Sequence, residues 1–222
     1  MPRTLRAFTL IELLVVIAII SCLCVMVLVG IPIFQRQGQK AAALNEVRQI
    51  GVAFELYAGD NNNYLPGRAE GGQIDKWPRL LVQYMGDDPR AYAAPGDDKN
   101  YLRRNLDPKD LDSGPLSNSR NNTSYIMNGY NDIGAFEDPA VTVSLNRIQK
   151  PSQLILLGTP KTGSQHFYMD MLEGGGNHKE VLDLARYGDG SIYLMADGSA
   201  RFLTEKTYDP DLWLVNKDFA IP

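Results

Sequence analysis

Glu12 is the side chain whose type and position point most clearly to a chemical role, because it lies at the start of a long apolar segment. No charged residue occurs from Leu13 to Gln35, and nearly every side chain in that range is apolar. About 20 such residues cross a bilayer as a helix. A carboxylate in a membrane-spanning segment costs free energy and needs a compensating partner. The sequence therefore predicts a functional role for Glu12 that depends on a partner nearby.

The residues around Glu12 form a recognisable pattern, Arg6-Ala7-Phe8-Thr9-Leu10-Ile11-Glu12-Leu13-Leu14. This pattern resembles the cleavage and methylation signal of type IV prepilins and type II secretion pseudopilins. The resemblance implies that a prepilin peptidase cuts between Ala7 and Phe8 and methylates the new N-terminus at Phe8. Glu12 is then the fifth residue of the mature chain, and it pairs with the Phe8 amine of a neighbouring subunit. Glycine usually precedes the cut in this family, and Ala7 replaces it here, so we expect slower processing.

Two other kinds of N-terminal segment compete with this interpretation. A secretory signal peptide has an apolar core of about 7–15 residues followed by small residues at its cleavage site. Here the apolar run is longer, and the small residue precedes it. An ordinary signal anchor fits the length but gives no reason for Glu12. All three alternatives keep Arg3 and Arg6 in the cytoplasm and export the rest of the chain.

Composition narrows the class of protein. The chain has 222 residues and a formal net charge of −4, which becomes more negative when Arg3 and Arg6 are removed with the leader. Nucleic acid is therefore not an expected partner, since a basic surface is needed to bind it. Both cysteines, Cys22 and Cys24, lie in the apolar run. Neighbours two apart on a helix do not face each other, so we expect no disulfide between them.

The chain divides into four predicted segments. Residues 1–7 form a leader that is removed, 8–34 a transmembrane and assembly helix, 35–60 an amphipathic continuation, and 61–222 an exported globular domain. Apolar residues recur at helical spacing in the third segment, at Leu44, Val47, Ile50 or Gly51, Phe54 and Tyr57. The predicted fold class is α+β: a long N-terminal helix packed on a small antiparallel β-sheet with long loops.

Short elements are expected within the exported domain. A helix is predicted at Trp77–Tyr84, and strands are predicted at Thr123–Tyr130, Val141–Leu145 and Gln153–Gly158. The clearest element is a hairpin from Ser191 to Leu203. Its two-residue turn is predicted at Asp197-Gly198, a pair that readily adopts positive φ angles.

The C-terminal region carries a second resemblance. The segment from Arg186 to Gly198 resembles pseudopilin-like proteins, abundant in Planctomycetes and Verrucomicrobia, that have a histidine nine residues before an Asp-Gly pair. Tyr187 stands at the histidine position here, and Ala94-Pro95 stands where relatives often have Cys-Pro. These two departures weaken any metal or thiol role implied by the resemblance.

Metal and catalytic sites are poorly supported by the sequence. His166 and His178 are the two histidines of the sequence, and Asp170 and Glu173 are the potential metal ligands between them. These four residues do not have the spacing of a zinc site. Calcium is a better candidate than zinc because oxygen ligands are abundant, although no segment has the spacing of an EF-hand loop. The candidate ligands are Asp87, Asp88, Asp97 and Asp98. No nucleophile motif or phosphate-binding loop is present, and Gly174-Gly175-Gly176 suits a flexible turn. We therefore expect no enzyme activity and no obligatory cofactor.

The sequence as a whole predicts a structural subunit of a pilus-like or pseudopilus filament. Its expected partners are like subunits, the prepilin peptidase, an inner-membrane assembly platform, and lipid before assembly. Its expected location is the bacterial inner membrane, in a single pass, with the C-terminal domain in the periplasm and the assembled filament there or at the cell surface. The alternative is a monomeric, membrane-tethered module that binds a glycan or an exported protein. Five aromatic residues were expected to be exposed under either hypothesis: Tyr64, Trp77, Tyr92, Tyr101 and Phe136.

Overall fold

A computed structural model describes residues 9–68, 77–97, 123–135, 138, 141–162, 164, 166–171 and 178–215. Several residues named above lie outside this range: Ala7, Phe8, Asp98, Tyr101, Phe136, Glu173 and Gly174 to Gly176. The chain divides into two compact units, 1–38 and 39–222. The boundary falls inside the first helix, so most of the predicted amphipathic segment belongs to the second unit.

Helix α1 spans Leu10–Asp60 and continues through Pro32. It ends where the sequence predicts, because Asn62 and Asn63 adopt positive φ angles of 54° and 63°. The Asn61 side-chain amide also donates to the Tyr57 carbonyl, at 2.8 Å, and so satisfies one of the unpaired acceptors at the helix end.

The described part of the first unit is the apolar half of α1. Between Leu10 and Phe34, the large apolar side chains whose burial is described are 43–82% exposed in the isolated chain. Within the described residues, α1 is the helix whose length and composition would allow it to span a membrane. This apolar surface requires cover from lipid or from other polypeptide, since water is a poor solvent for it.

The second unit is built on a five-stranded sheet. Its strands are β1 (Ile126–Asn128), β2 (Ile155–Gly158), β3 (Tyr168–Met169), β4 (Gly190–Met195) and β5 (Ala200–Thr204), in the spatial order β3-β1-β2-β4-β5. The pairs β1–β2, β2–β4 and β4–β5 are antiparallel, whereas β1 and β3 are parallel. The predicted α+β class is confirmed, with the correction that the sheet is mixed rather than wholly antiparallel.

The core lies on both faces of this sheet. One cluster joins α1 to the sheet, with Val47, Ile50 and Phe54 of the helix in the same apolar group as Ile192 and Leu194 of β4. A second cluster contains the alternate β4 residues Tyr193 and Met195 together with Trp213. Strand β4 is thus buried on both faces, because successive side chains of a strand point in opposite directions.

The described part of the second unit also contains two short α-helices. Helix α2 spans Trp77–Val82, which confirms the predicted helix, and helix α3 spans His178–Val181. The predicted strand at Val141–Leu145 is wrong. Ser144 makes only an isolated bridge with Tyr64, and a 3-10 turn follows at Leu145–Arg147. This segment pairs with the chain just after α1 instead, since the Leu65 amide donates to the Val143 carbonyl at 2.8 Å.

The C-terminal hairpin is confirmed, but its turn differs from the predicted two-residue form. Leu194 pairs with Ala200, and the Gly198 amide donates to the Met195 carbonyl at 3.0 Å. Only Gly198 of the Asp-Gly pair has a positive φ, at 76°. The turn is therefore longer than predicted, and Asp197 instead accepts a hydrogen bond from the Ser199 amide at 2.9 Å.

The expectation of exposed aromatic residues is wrong for two of the five. Trp77 and Tyr92 are completely buried, and their rings meet edge to face with centroids 5.4 Å apart. Trp77 also donates its indole N–H to the Phe167 carbonyl, at 3.1 Å. A large aromatic side chain with one polar atom can be buried when that atom is hydrogen-bonded, as the indole N–H of Trp77 is. Tyr64 is exposed as expected.

Candidate functional site

Glu12 and Thr9 form a reciprocal set of hydrogen bonds at the start of α1. The Glu12 carboxylate oxygen Oε2 accepts from the Thr9 amide at 2.9 Å and from the Thr9 hydroxyl at 2.7 Å. In return, the Glu12 amide donates to Thr9 Oγ1 at 3.4 Å. This arrangement is a capping box, in which the residue before the helix and the third helical residue satisfy each other's backbone N–H groups.

The capping box gives the Glu12 carboxylate a local role that the sequence analysis did not assign. The negative charge stands in the first turn of α1, where the helix dipole favours it. Its hydrogen bonds with Thr9 offset part of the cost of placing it beside an apolar segment. The signal for this arrangement is present in the sequence, because Thr9 and Glu12 have the Thr-x-x-Glu spacing of a capping box.

The local hydrogen bonds still leave Glu12 with an unneutralised charge. Both hydrogen bonds that the carboxylate accepts from Thr9 use Oε2, and neither donor is a cation. A hydroxyl and an amide therefore orient the carboxylate, while a cation from outside the described residues would be needed to neutralise it. The resemblance to prepilins implies that this cation is the Phe8 amine. Ala7 and Phe8 lie outside the described residues, so the cleavage site stays a prediction.

The proposed calcium ligands are not brought together in the described residues. The Asp97 carboxylate is buried, accepts from the Ser124 hydroxyl at 2.8 Å, and lies 3.4 Å from the Arg186 guanidinium. Arg186 also donates from Nε to Asp183 at 2.9 Å. A buried carboxylate that already has a cationic partner is a poor calcium ligand. Calcium binding at Asp87, Asp88, Asp97 and Asp98 remains a prediction.

The histidines and the nearby carboxylate also lie in separate environments. Asp170 forms a two-pronged ion pair with Arg68, whose guanidinium stands over the Tyr168 ring. His178 packs against Tyr208, with ring centroids 5.7 Å apart, whereas His166 is exposed. His178 begins helix α3. Among the described residues there is no group of three or more potential metal ligands.

Tyr187, which stands at the histidine position of the C-terminal resemblance, contacts the residue that follows Ala94. The Tyr187 hydroxyl donates to the Pro95 carbonyl at 3.3 Å, so the position that follows Ala94 lies beside the position that replaces histidine. Tyr187 is buried in the main core cluster. This contact assigns Tyr187 a packing role between two distant segments, and the family membership of the C-terminal region stays a prediction.

Comparison with known proteins identifies the N-terminal segment. Residues 3–28 match the family model described as the prokaryotic N-terminal methylation motif. The chain therefore carries the processing signal of type IV pilins and pseudopilins, a structural class rather than an enzymatic one. The motif and the apolar helix together support membrane anchoring. No match was found among curated proteins or among solved structures.

Proposed function

We propose that this protein is a structural subunit of a type IV pilus-like or type II secretion pseudopilus filament. A prepilin peptidase cuts the precursor before Phe8 and methylates the new N-terminus. The chain is inserted in the inner membrane in a single pass, with the unit that follows the apolar helix in the periplasm. An assembly platform then transfers it from lipid into the filament. The observation that carries this proposal is the methylation motif at residues 3–28.

The geometry at Glu12 supports an assembly role for the carboxylate. Cleavage before Phe8 creates an amine close in sequence to Glu12, at the same level of the membrane. A carboxylate and an amine in a low-dielectric layer are better paired than separate, because each isolated charge carries a large desolvation cost. Thr9 holds Oε2 and so fixes the position of the carboxylate, which we expect to accept the Phe8 amine of the neighbouring subunit.

The exposed apolar half of α1 supports a filament as the final state. Lipid covers these side chains before assembly, and the equivalent helices of other subunits cover them afterwards. Contacts that join different surfaces of copies displaced along the filament axis do not close into a ring. Such contacts generate a helical filament.

Substitution of Glu12 tests this proposal. We expect Glu12→Val to yield a processed protein that stays in the membrane and is missing from filaments sheared from cells. Glu12→Gln is the informative control, because glutamine preserves the capping box but removes the charge. If charge pairing drives assembly, Glu12→Gln also fails to enter filaments. Normal amounts of both variants in the sheared fraction would contradict the assembly role of Glu12. Absence of the wild type from that fraction would instead favour the monomeric, membrane-tethered binding module.

A further inference from the structure

The sequence contains a single Asn-Gly pair, Asn128-Gly129, and both residues are buried at the end of β1. In an open chain such a pair reacts without an enzyme, because glycine has no side chain to keep its nitrogen away from the asparagine. The Gly129 nitrogen attacks Cγ of Asn128 and forms a five-membered succinimide. The side-chain NH₂ group leaves as ammonia with the amide proton, and one water molecule opens the ring to aspartate or isoaspartate.

The folded chain uses every polar group of the Asn128 side chain. The side-chain amide donates to the Ile155 carbonyl at 2.9 Å and to the Trp213 carbonyl at 2.8 Å. The side-chain oxygen Oδ1 accepts from the Tyr130 amide at 2.9 Å. Exchange of the nitrogen and the oxygen would place an oxygen against two carbonyls, so this network fixes the orientation of the side chain. Asn128 is therefore held at both ends and is only 1% exposed.

Gly129 is held by the neighbouring strand. Its amide donates to the Met169 carbonyl at 3.0 Å, which keeps the attacking nitrogen in a hydrogen bond to β3. An added Cβ atom would lie 3.0 Å from Arg68 Nη1 and still closer to the Asp170 carboxylate. The ion pair of Arg68 with Asp170 therefore leaves room for glycine alone at this position.

We propose that Asn128-Gly129 is a spontaneous modification site that is shielded in the folded chain and reactive in the unfolded chain. Packing requires both residues, since two carbonyls need an amide donor at position 128 and the ion pair needs glycine at position 129. The fold thus retains a reactive pair, and burial with hydrogen bonding protects it. When opening is fast relative to reaction, the rate follows the small population of open chains.

Conversion of Asn128 prevents a return to this fold. A carboxylate at this position presents oxygen atoms to the Ile155 and Trp213 carbonyls, and a buried charge without donors is costly. Isoaspartate also adds one carbon to the backbone of β1, which pairs with both β2 and β3. A chain that stays unfolded for long is therefore lost irreversibly from the folded population. The site lies in the second unit and does not depend on filament formation.

Incubation of the full chain in detergent, with and without concentrated urea, tests the shielding. Fluorescence verifies the two states, because Trp77 and Trp213, the two tryptophans of the sequence, are buried when the chain is folded. Mass spectrometry of peptides measures the conversion of Asn128 with time at mildly alkaline pH. We expect conversion in urea and a rate at least about 100-fold lower in the folded chain. Asn45, which precedes Glu46, is the internal control and should stay largely unconverted in urea.

Two substitutions separate the reaction from its consequence. Gly129→Ala is measured in urea, where folding is not required, and should slow the conversion of Asn128 at least several-fold. Asn128→Asp reproduces one product directly and should not regain native tryptophan fluorescence after removal of urea. Asn45→Asp makes the same change at an exposed position of α1 and should refold like the wild type.

Each outcome decides one part of the proposal. Equal conversion of Asn128 in folded and unfolded chains would overturn the shielding. No conversion in urea, or an unchanged rate in Gly129→Ala, would overturn the reactive pair. Converted chains or Asn128→Asp that refold as completely as the unconverted wild type would overturn the loss from the folded population.

Discussion

At the residue scale, Glu12 is bound within its own chain, and the proposed function adds a second interaction between chains. Thr9 satisfies the carboxylate through hydrogen bonds on Oε2. These bonds orient the side chain but do not neutralise it, so the charge remains available to the Phe8 amine of a neighbour. The apolar run and the isolated carboxylate predict the site, and its role in assembly stays a prediction. The part played by Thr9 was missed, although its spacing from Glu12 predicts a capping box.

The proposed maturation begins with a cut between Ala7 and Phe8, so the side chain of Ala7 should affect the rate of this step. Glycine is usual before the cut in prepilins, so we expect Ala7→Gly to increase the rate at which precursor becomes mature protein. The ratio of the two forms after a short metabolic pulse measures this rate. Ala7→Leu, with a larger side chain at the same position, should leave mostly precursor. Equal rates for all three chains would show that Ala7 does not limit processing.

Asp97 shows why some side-chain roles could not be predicted from sequence. The adjacent acidic pairs Asp87-Asp88 and Asp97-Asp98 led to the prediction of oxygen ligands for calcium. The structure pairs Asp97 with Arg186, and Asp170 with Arg68, across large separations in the chain. Such pairings depend on how distant segments pack, and no local spacing encodes them.

At the scale of elements, the strongest local patterns were the most reliable. The end of α1, helix α2 and the β4–β5 hairpin were predicted because turn residues and apolar periodicity mark them directly. The parallel pairing of β1 with β3 was missed, since β3 has only two residues, Tyr168 and Met169, and no turn connects it to β1. Val141–Leu145 had strand-like composition, but its partner is the chain after α1.

Gly51 determines how closely α1 approaches the hairpin. A Cβ atom at this position would lie 2.8 Å from Leu194 Cδ1 and 3.1 Å from the Gly198 carbonyl oxygen. The Gly198 carbonyl belongs to the backbone of a tight turn and cannot easily move. We expect Gly51→Ala to lower the free energy of unfolding by about 1–3 kcal/mol, as overpacking of a core does. Chemical denaturation of the full chain in detergent measures the change.

Gly59 provides the matched control for this substitution. It lies in the same helix, but no atom would be within 4 Å of an added Cβ. Since alanine is more favourable than glycine in a helix, Gly59→Ala should raise stability by about 0.5–1 kcal/mol. Equal effects of the two substitutions would show that helix propensity, rather than contact with the hairpin, governs Gly51.

At the scale of the whole molecule, buried tyrosines link stability to alkaline pH. Burial raises the pKa of Tyr92, Tyr130, Tyr193 and Tyr208 above the ordinary value of 10.0. The unfolded chain therefore loses these protons first as pH rises. Between pH 10 and the higher pKa values of the folded state, the folded chain binds more protons, so its free energy of unfolding falls with increasing pH. Thermal unfolding measured from pH 8 upward should show a constant midpoint followed by a decline beyond about pH 10.

Tyr130→Phe isolates one contribution to this decline. The Tyr130 hydroxyl is buried and has no hydrogen-bond partner among the described residues. Its removal should shift the decline to higher pH with little loss of stability at neutral pH. Tyr64→Phe removes a tyrosine hydroxyl at an exposed position and is the matched control. The same profile for Tyr130→Phe and the wild type would show that other ionisations dominate.

The filament proposal depends most directly on the N-terminus of the assembled protein. Mass spectrometry of the N-terminal peptide, from both the membrane and the filaments sheared from cells, examines cleavage, methylation and assembly together. The proposal predicts a sheared fraction that contains this protein and begins at methylated Phe8. A chain that begins at Met1, or a Phe8 chain found only in the membrane, would contradict it.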